Sequence, residues 1–156
     1  MRKVSFRHLS CDDAAVIIQW RYLPPYDFYN HPSPNQEAAS ELLRAEYNYN
    51  AIEDSAGRLI GYFCLGPDAR VPGGDYDNSA LDLGMGLDPA LIGQRFGTTC
   101  LQEILVGLRS PKTKQAIRAT VAAWNQRALR LCQSAGFVKV ATFTGTSGVP
   151  FKVLLM

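Results

Sequence analysis

A chain of 156 residues suits one domain with one core. Its 47% apolar content argues against disorder. Sixteen Lys and Arg against 14 Asp and Glu leave a net charge of +2, too small to predict nucleic acid or a membrane surface as partner.

Residues 3–9 alternate apolar and polar side chains and predict a first strand. Ser10 is placed to cap a helix whose first turn carries Asp12 and Asp13, favourable at the positive end of the helix dipole. Residues 20–34 are aromatic, proline-rich and irregular. Asn35 or Ser33 can start a second helix, with Ala38, Leu42 and Ala45 on one face. Residues 48–53 and 58–65 read as a hairpin through Asp54 and Gly57. Its second strand is apolar on both faces, which predicts a place inside the sheet. A Pro/Gly/Asp-rich loop over 66–78 precedes a fourth strand at 79–87. A third helix follows Gly97, with Leu101, Ile104, Leu105 and Leu108 forming its core face, and Pro111 ends it. A fifth strand at 116–123, a fourth helix at 125–135 and strands at 137–144 and 151–156 complete the chain.

The order β-α-α-β-β-β-α-β-α-β-β predicts a single α/β domain over 1–156, built on a mixed sheet. No apolar run reaches the roughly 18 residues of a membrane span, and no apolar segment follows Arg2 and Lys3 as a secretory leader requires. Cys11, Cys64, Cys100 and Cys132 stand singly. That pattern argues against a disulfide framework or metal site and for a cytoplasmic, reduced protein.

Two segments carry the functional signal. In the first, a strand runs into Asp88-Pro89 and then Ile92-Gly93-Gln94-Arg95-Phe96-Gly97-Thr98, which opens a helix. Unpaired N–H groups and the positive helix end make such a turn an anion site. In the second, a strand is followed by Asn125-x-x-Ala128 and by Leu131-Cys132-x-x-x-Gly136-Phe137, a helix stop. The pair resembles the acyl-CoA core of the GCN5-related N-acetyltransferase (GNAT) superfamily. The likeness covers nearly the whole chain.

The resemblance implies a seven-stranded, mostly antiparallel sheet flanked by about four helices. It implies acetyl-CoA as co-substrate and no metal. The activity implied is direct acetyl transfer to a primary amine, on a small molecule or a protein. Nucleic acid and membrane are not expected as partners, and homodimerisation stays open. The cofactor would meet backbone groups of Met85 and Leu87, the loop Gln94, Arg95, Phe96, Gly97 and Thr98, and Asn125. Asn125 also serves as a helix N-cap with no further task required.

Arg95 stands where the family usually has Gly. It either reaches a phosphate as a cation or crowds it. Cys132 stands where Tyr usually protonates the departing thiolate; a buried Cys is more often inert core. Asp82 is the candidate base, with a salt-bridged strand carboxylate as the plain alternative. The aromatic stretch places Arg21, Tyr22, Tyr26, Asp27 and Tyr29 where the family builds its acceptor site; the alternative is a hydrophobic plug. The rival function is a catalytically degenerate acyl-CoA-binding sensor or scaffold, favoured by the altered loop and the missing Tyr.

Overall fold

The computed structural model describes residues 2–109 and 114–156. Strand β1 (Val4–His8) leads to Ser10, whose hydroxyl accepts from the Asp13 N–H while the Asp13 carboxylate accepts from the Ser10 N–H. This capping box starts α1 (Cys11–Ile17). Asn35 rather than Ser33 caps α2 (Gln36–Leu42), through the Ala38 N–H. The helix is shorter than its apolar spacing predicts. Arg44 adopts extended backbone, and Ala45 starts a separate 3-10 turn over Ala45–Tyr47.

Strands β2 (Tyr49–Asp54) and β3 (Leu59–Leu65) form the expected hairpin, closed by the Asp54 N–H to the Arg58 carbonyl at 3.0 Å. β4 (Ala80–Leu87), α3 (Phe96–Leu108), β5 (Ala116–Ala122), α4 (Gln126–Ala135), β6 (Val138–Thr144) and β7 (Pro150–Leu155) follow. Pro111, the expected stop for α3, lies outside the described residues.

The seven strands are ordered β1-β2-β3-β4-β5-β7-β6, with β3 inside the sheet as its two apolar faces predict. β4 and β5 pair in parallel, with Ala80 opposite Ala116 and Asp82 opposite Arg118. The β1–β2, β5–β7 and β6–β7 pairs are antiparallel.

The chain clusters into two compact units, each discontinuous in sequence. One comprises Met1–Phe63 with Met85–Cys100, the other Cys64–Gly84 with Leu101–Met156. In the first, Ala14, Ile18 and Ala39 bury the facing sides of α1 and α2 against Leu9 and Leu42. In the second, the face predicted for α3 is present: Leu101, Ile104 and Leu105 are buried, as are Ile117 and Leu154. Among the described residues no helix is long and apolar enough to cross a membrane.

Candidate active site

The end of β4 and the start of α3 belong to the first unit. The Asp88 N–H donates to the Ile60 carbonyl of β3 at 2.9 Å. Backbone groups alternate sides along a strand. The N–H and C=O of Met85 and Leu87 therefore point away from β3. The Leu87 carbonyl accepts the Tyr22 hydroxyl at 2.6 Å, so the peptide between Leu87 and Asp88 is held at both ends. Burial, and then the negative Asp88, raise the Tyr22 pKa, which keeps the phenol a proton donor.

Past β4 the chain turns through Pro89–Leu91, capped by the Asp88 side chain on the Ala90 N–H at 2.9 Å. Gly93 has φ +85° with open space where a Cβ would stand, so its need for glycine is conformational. Arg95 has φ +64°. The left-handed region is unfavourable for a residue with a Cβ. The loop therefore keeps the turn that glycine would give, at some conformational cost to Arg95.

α3 begins at once, at Phe96, and its first N–H groups have no acceptor within the helix. A second cation appears that the sequence did not point to. The Arg2 guanidinium donates to the Gln94 carbonyl and lies 4.1 Å from the Phe96 ring centroid. Gln94 turns its own amide back to the Ala90 carbonyl at 3.1 Å. Gln94, Arg95, Phe96, Gly97 and Thr98 thus form a short turn into a helix start with two arginines beside it. Those donors fit a phosphate-bearing ligand.

The aromatic stretch is built onto the same unit. Asn30 accepts the Tyr22 N–H at 2.7 Å and so ties the two ends of the segment. Tyr26, Asp27 and Tyr29 lie in a 3-10 turn, Tyr26–Tyr29, and Phe28 packs edge-on to Tyr29. The Arg21 guanidinium caps its own chain, donating to the carbonyls of Trp20 at 2.9 Å and Ile18 at 3.4 Å. One member of the aromatic group went unnoticed in the sequence: Tyr62 was legible only as an interior strand residue, whereas Trp20 opens the aromatic stretch itself. In the structure Trp20 stacks on Tyr62 with ring centroids 6.1 Å apart. A Cβ at Gly86 would come within 2.5 Å of the Tyr62 ring, so only glycine leaves room for the ring over β4.

Asp82, Asn125 and Cys132 belong to the second unit. Asp82 is 2% exposed. Its carboxylate accepts from Arg118 Nε at 2.7 Å, Arg118 Nη2 at 2.8 Å and Arg70 Nε at 2.8 Å. Arg118 also binds Asp77, and Tyr76 sits 5.0 Å from the Arg118 guanidinium and 5.5 Å from that of Arg70. The Tyr76 hydroxyl bonds Thr120 at 2.8 Å. Three guanidinium N–H groups thus engage the two oxygens of this buried carboxylate. Of the two roles open to Asp82 in the sequence, the salt-bridged carboxylate is the one this geometry displays. Its cross-strand register with Arg118 was not legible in the sequence.

Asn125 caps α4 through the Ala128 N–H at 3.1 Å, and Gly136 ends that helix at φ +108°. The Phe137 N–H returns to the Cys132 carbonyl at 3.0 Å. That is the Schellman pattern that the Cys132-to-Phe137 spacing encodes. Cys132 is buried, and burial pushes its thiol up to about 11. A free cysteine titrates near about 8.5, so this thiol is a reluctant donor to another thiolate.

A family model described as the acetyltransferase (GNAT) family matches residues 14–137. No curated protein matches the chain at the sequence level. Solved structures do match its fold. Spermidine N-acetyltransferase from Vibrio cholerae, in complex with CoA and spermine, superposes with a TM-score of 0.72 at 18% identity, over 98% of this chain and 94% of that one. A chimera of the Vibrio cholerae enzyme with hSSAT gives 0.72 at 18%, with the same coverage of both chains. A protein of Acinetobacter baylyi ADP1 gives 0.73 at 12%, over 100% of this chain and 93% of that one.

Proposed function

The chain belongs to the acetyltransferase (GNAT) family, and from that premise we propose that its first unit carries the reacting centre of an acetyl-CoA-dependent N-acetyltransferase for a small-molecule primary amine. The observation that carries this reading is the doubly held peptide at Leu87 beside the turn into α3. The turn supplies phosphate donors: the first N–H groups of α3, with Arg95 and Arg2 adjacent. The Leu87 N–H, facing away from β3, is the donor for the carbonyl oxygen of the thioester as negative charge grows on it. A preorganised donor of this kind is worth roughly 3–4 kcal/mol of barrier.

Bound acetyl-CoA supplies an activated acyl group and a good leaving thiolate. The neutral amine attacks the carbonyl, a C–N bond forms, the C–S bond breaks, and the thiolate departs. Water takes the amine proton and returns one to the thiolate. In this reading Cys132 packs and does not donate, and Asp82 holds Arg70 and Arg118.

The rival is an acyl-CoA sensor that does not turn over. The altered loop gave it weight, but Arg95 adopts a left-handed backbone of the kind glycine favours, which supports a working cradle.

The test pairs CoA-induced thermal stabilisation, which follows from binding to the folded state alone, with thiol release from acetyl-CoA over an amine panel. Both are expected, and Gly97→Val should lose both while unfolding cooperatively. Cys132→Ala should keep kcat within about threefold, against the ~10²-fold or greater loss of a missing general acid. Stabilisation without thiol release for any amine would favour the sensor.

A further inference from the structure

The aromatic residues of the first unit form a connected array at the end of β4, and it has a chemistry of its own. Tyr22 touches β4 through its hydroxyl on the Leu87 carbonyl. Tyr62 covers Gly86 so closely that no Cβ fits between them. Trp20 stacks on Tyr62 at 6.1 Å, and Tyr49 tilts against Tyr62 at 5.7 Å. All four rings are half-buried. Each is fixed on one side and accessible on another, which is the state of a wall rather than of core.

The charges around this wall are largely spent. Asp13 and Glu53 pair with Arg7. Glu41 and Glu46 pair with Arg44, and Asp54 with Arg58. Asp12 and Glu37 occupy the first turns of α1 and α2, and Asp88 caps the turn after β4. Asp27, exposed in the first turn of the short 3-10 helix Tyr26–Tyr29, is the one carboxylate of this unit's described residues outside the ion pairs, the α-helix starts and the turn after β4.

We propose that the acceptor is a monocationic primary amine carried on a flat aromatic body, an arylalkylamine, with its ring stacked on the Trp20–Tyr62 face. This deepens the acetyltransferase reading above and rests on it. A flat ring gains offset or edge contacts with Trp20 and Tyr62. Its single ammonium needs one counter-charge and loses its proton before attack. A polyamine would bring further ammonium groups to a unit in which the ion pairs, the α-helix starts and the turn after β4 leave Asp27 alone among the described carboxylates, with only aromatic faces as the alternative.

The experiment measures thiol release from acetyl-CoA by the intact protein with 2-phenylethylamine, spermidine and ethylamine. 2-Phenylethylamine is expected to give a kcat/KM at least tenfold above each of the others. Trp20→Leu should raise the KM for 2-phenylethylamine about tenfold and shift that for ethylamine by a much smaller factor. Trp20→Phe keeps a ring at the stack and should recover most of the KM, and CoA-induced stabilisation of each variant guards against misreading a folding defect. Spermidine turned over as well as 2-phenylethylamine would overturn the aromatic acceptor and leave the acetyltransferase reading standing. So would a Trp20→Leu loss shared equally by ethylamine. No thiol release with any of the three, beside intact CoA stabilisation, would overturn both.

Discussion

Asp82 and Arg95 each stand at a position where the residue type invites a catalytic role, and in each the local geometry points to a measurable alternative. Asp82→Asn would leave Arg118, 7% exposed, without the anion that receives two of its N–H groups. Removing one partner of a buried pair costs about 3–5 kcal/mol. Asn retains one acceptor, so the lower end is expected, read as an earlier urea midpoint with the slope unchanged. The pH dependence of kcat should keep its shape in the folded variant, and a lost acidic limb would restore Asp82 as the base. Arg95→Gly tests the other position. Relief of a left-handed L-residue is worth about 1 kcal/mol, and the freer unfolded chain takes back about half of it. The variant should therefore be slightly more stable, by a degree or two in Tm. It should bind CoA several-fold more weakly if the guanidinium serves the phosphates. Tighter binding would show that Arg95 only crowds them.

Elements were read well wherever one local rule decided them. Ser10, Asn35 and Asn125 each cap the helix their spacing predicts, and Gly136 stops α4 four residues after Cys132, because capping is a contact within a few residues of chain. The strands were legible from alternation, and β3 from its two apolar faces. α2 was overextended because Ala45 keeps the helical spacing while Arg44 does not keep helical backbone. What stayed hidden is long-range pairing. Arg2 meeting Gln94, Tyr22 meeting Leu87 and Arg118 meeting Asp82 join positions 92, 65 and 36 residues apart, and no local pattern encodes them. The site followed the same division. The loop at 93–98 could be found from its glycines and helix start, whereas Tyr62 looked like any interior strand residue until Gly86 was seen beneath it.

Stability across pH should show a plateau bounded by two unlike kinds of group. On the acid side, the Arg7 guanidinium holds the Asp13 carboxyl at about 2, with the Ser10 N–H and hydroxyl helping and burial opposing. Arg7 also bonds Glu53 at 2.6 Å, so one guanidinium ties β1, α1 and β2 together. A depressed folded pKa stabilises above the unfolded value and is lost as pH falls, here from about 4 toward 2. Arg7 is partly exposed, so the worth is on the order of 1 kcal/mol after screening. On the alkaline side, burial lifts the thiols of Cys100 and Cys132 to about 11. A raised folded pKa stabilises fully below the unfolded value and is lost as pH climbs, here from about 9 to 11. At ~1.4 kcal/mol per unit each thiol contributes up to about 2–3 kcal/mol. Thermal melts between pH 2 and 11 should thus be flat from about 4 to 9 and fall on both flanks. The difference between parent and variant is the informative quantity. Cys100→Ala with Cys132→Ala should lower the plateau through lost packing and flatten the fall above pH 9. Asp13→Asn should flatten only the acid flank. A double cysteine variant that loses stability above pH 9 as steeply as the parent would show that these thiols do not set the alkaline limit.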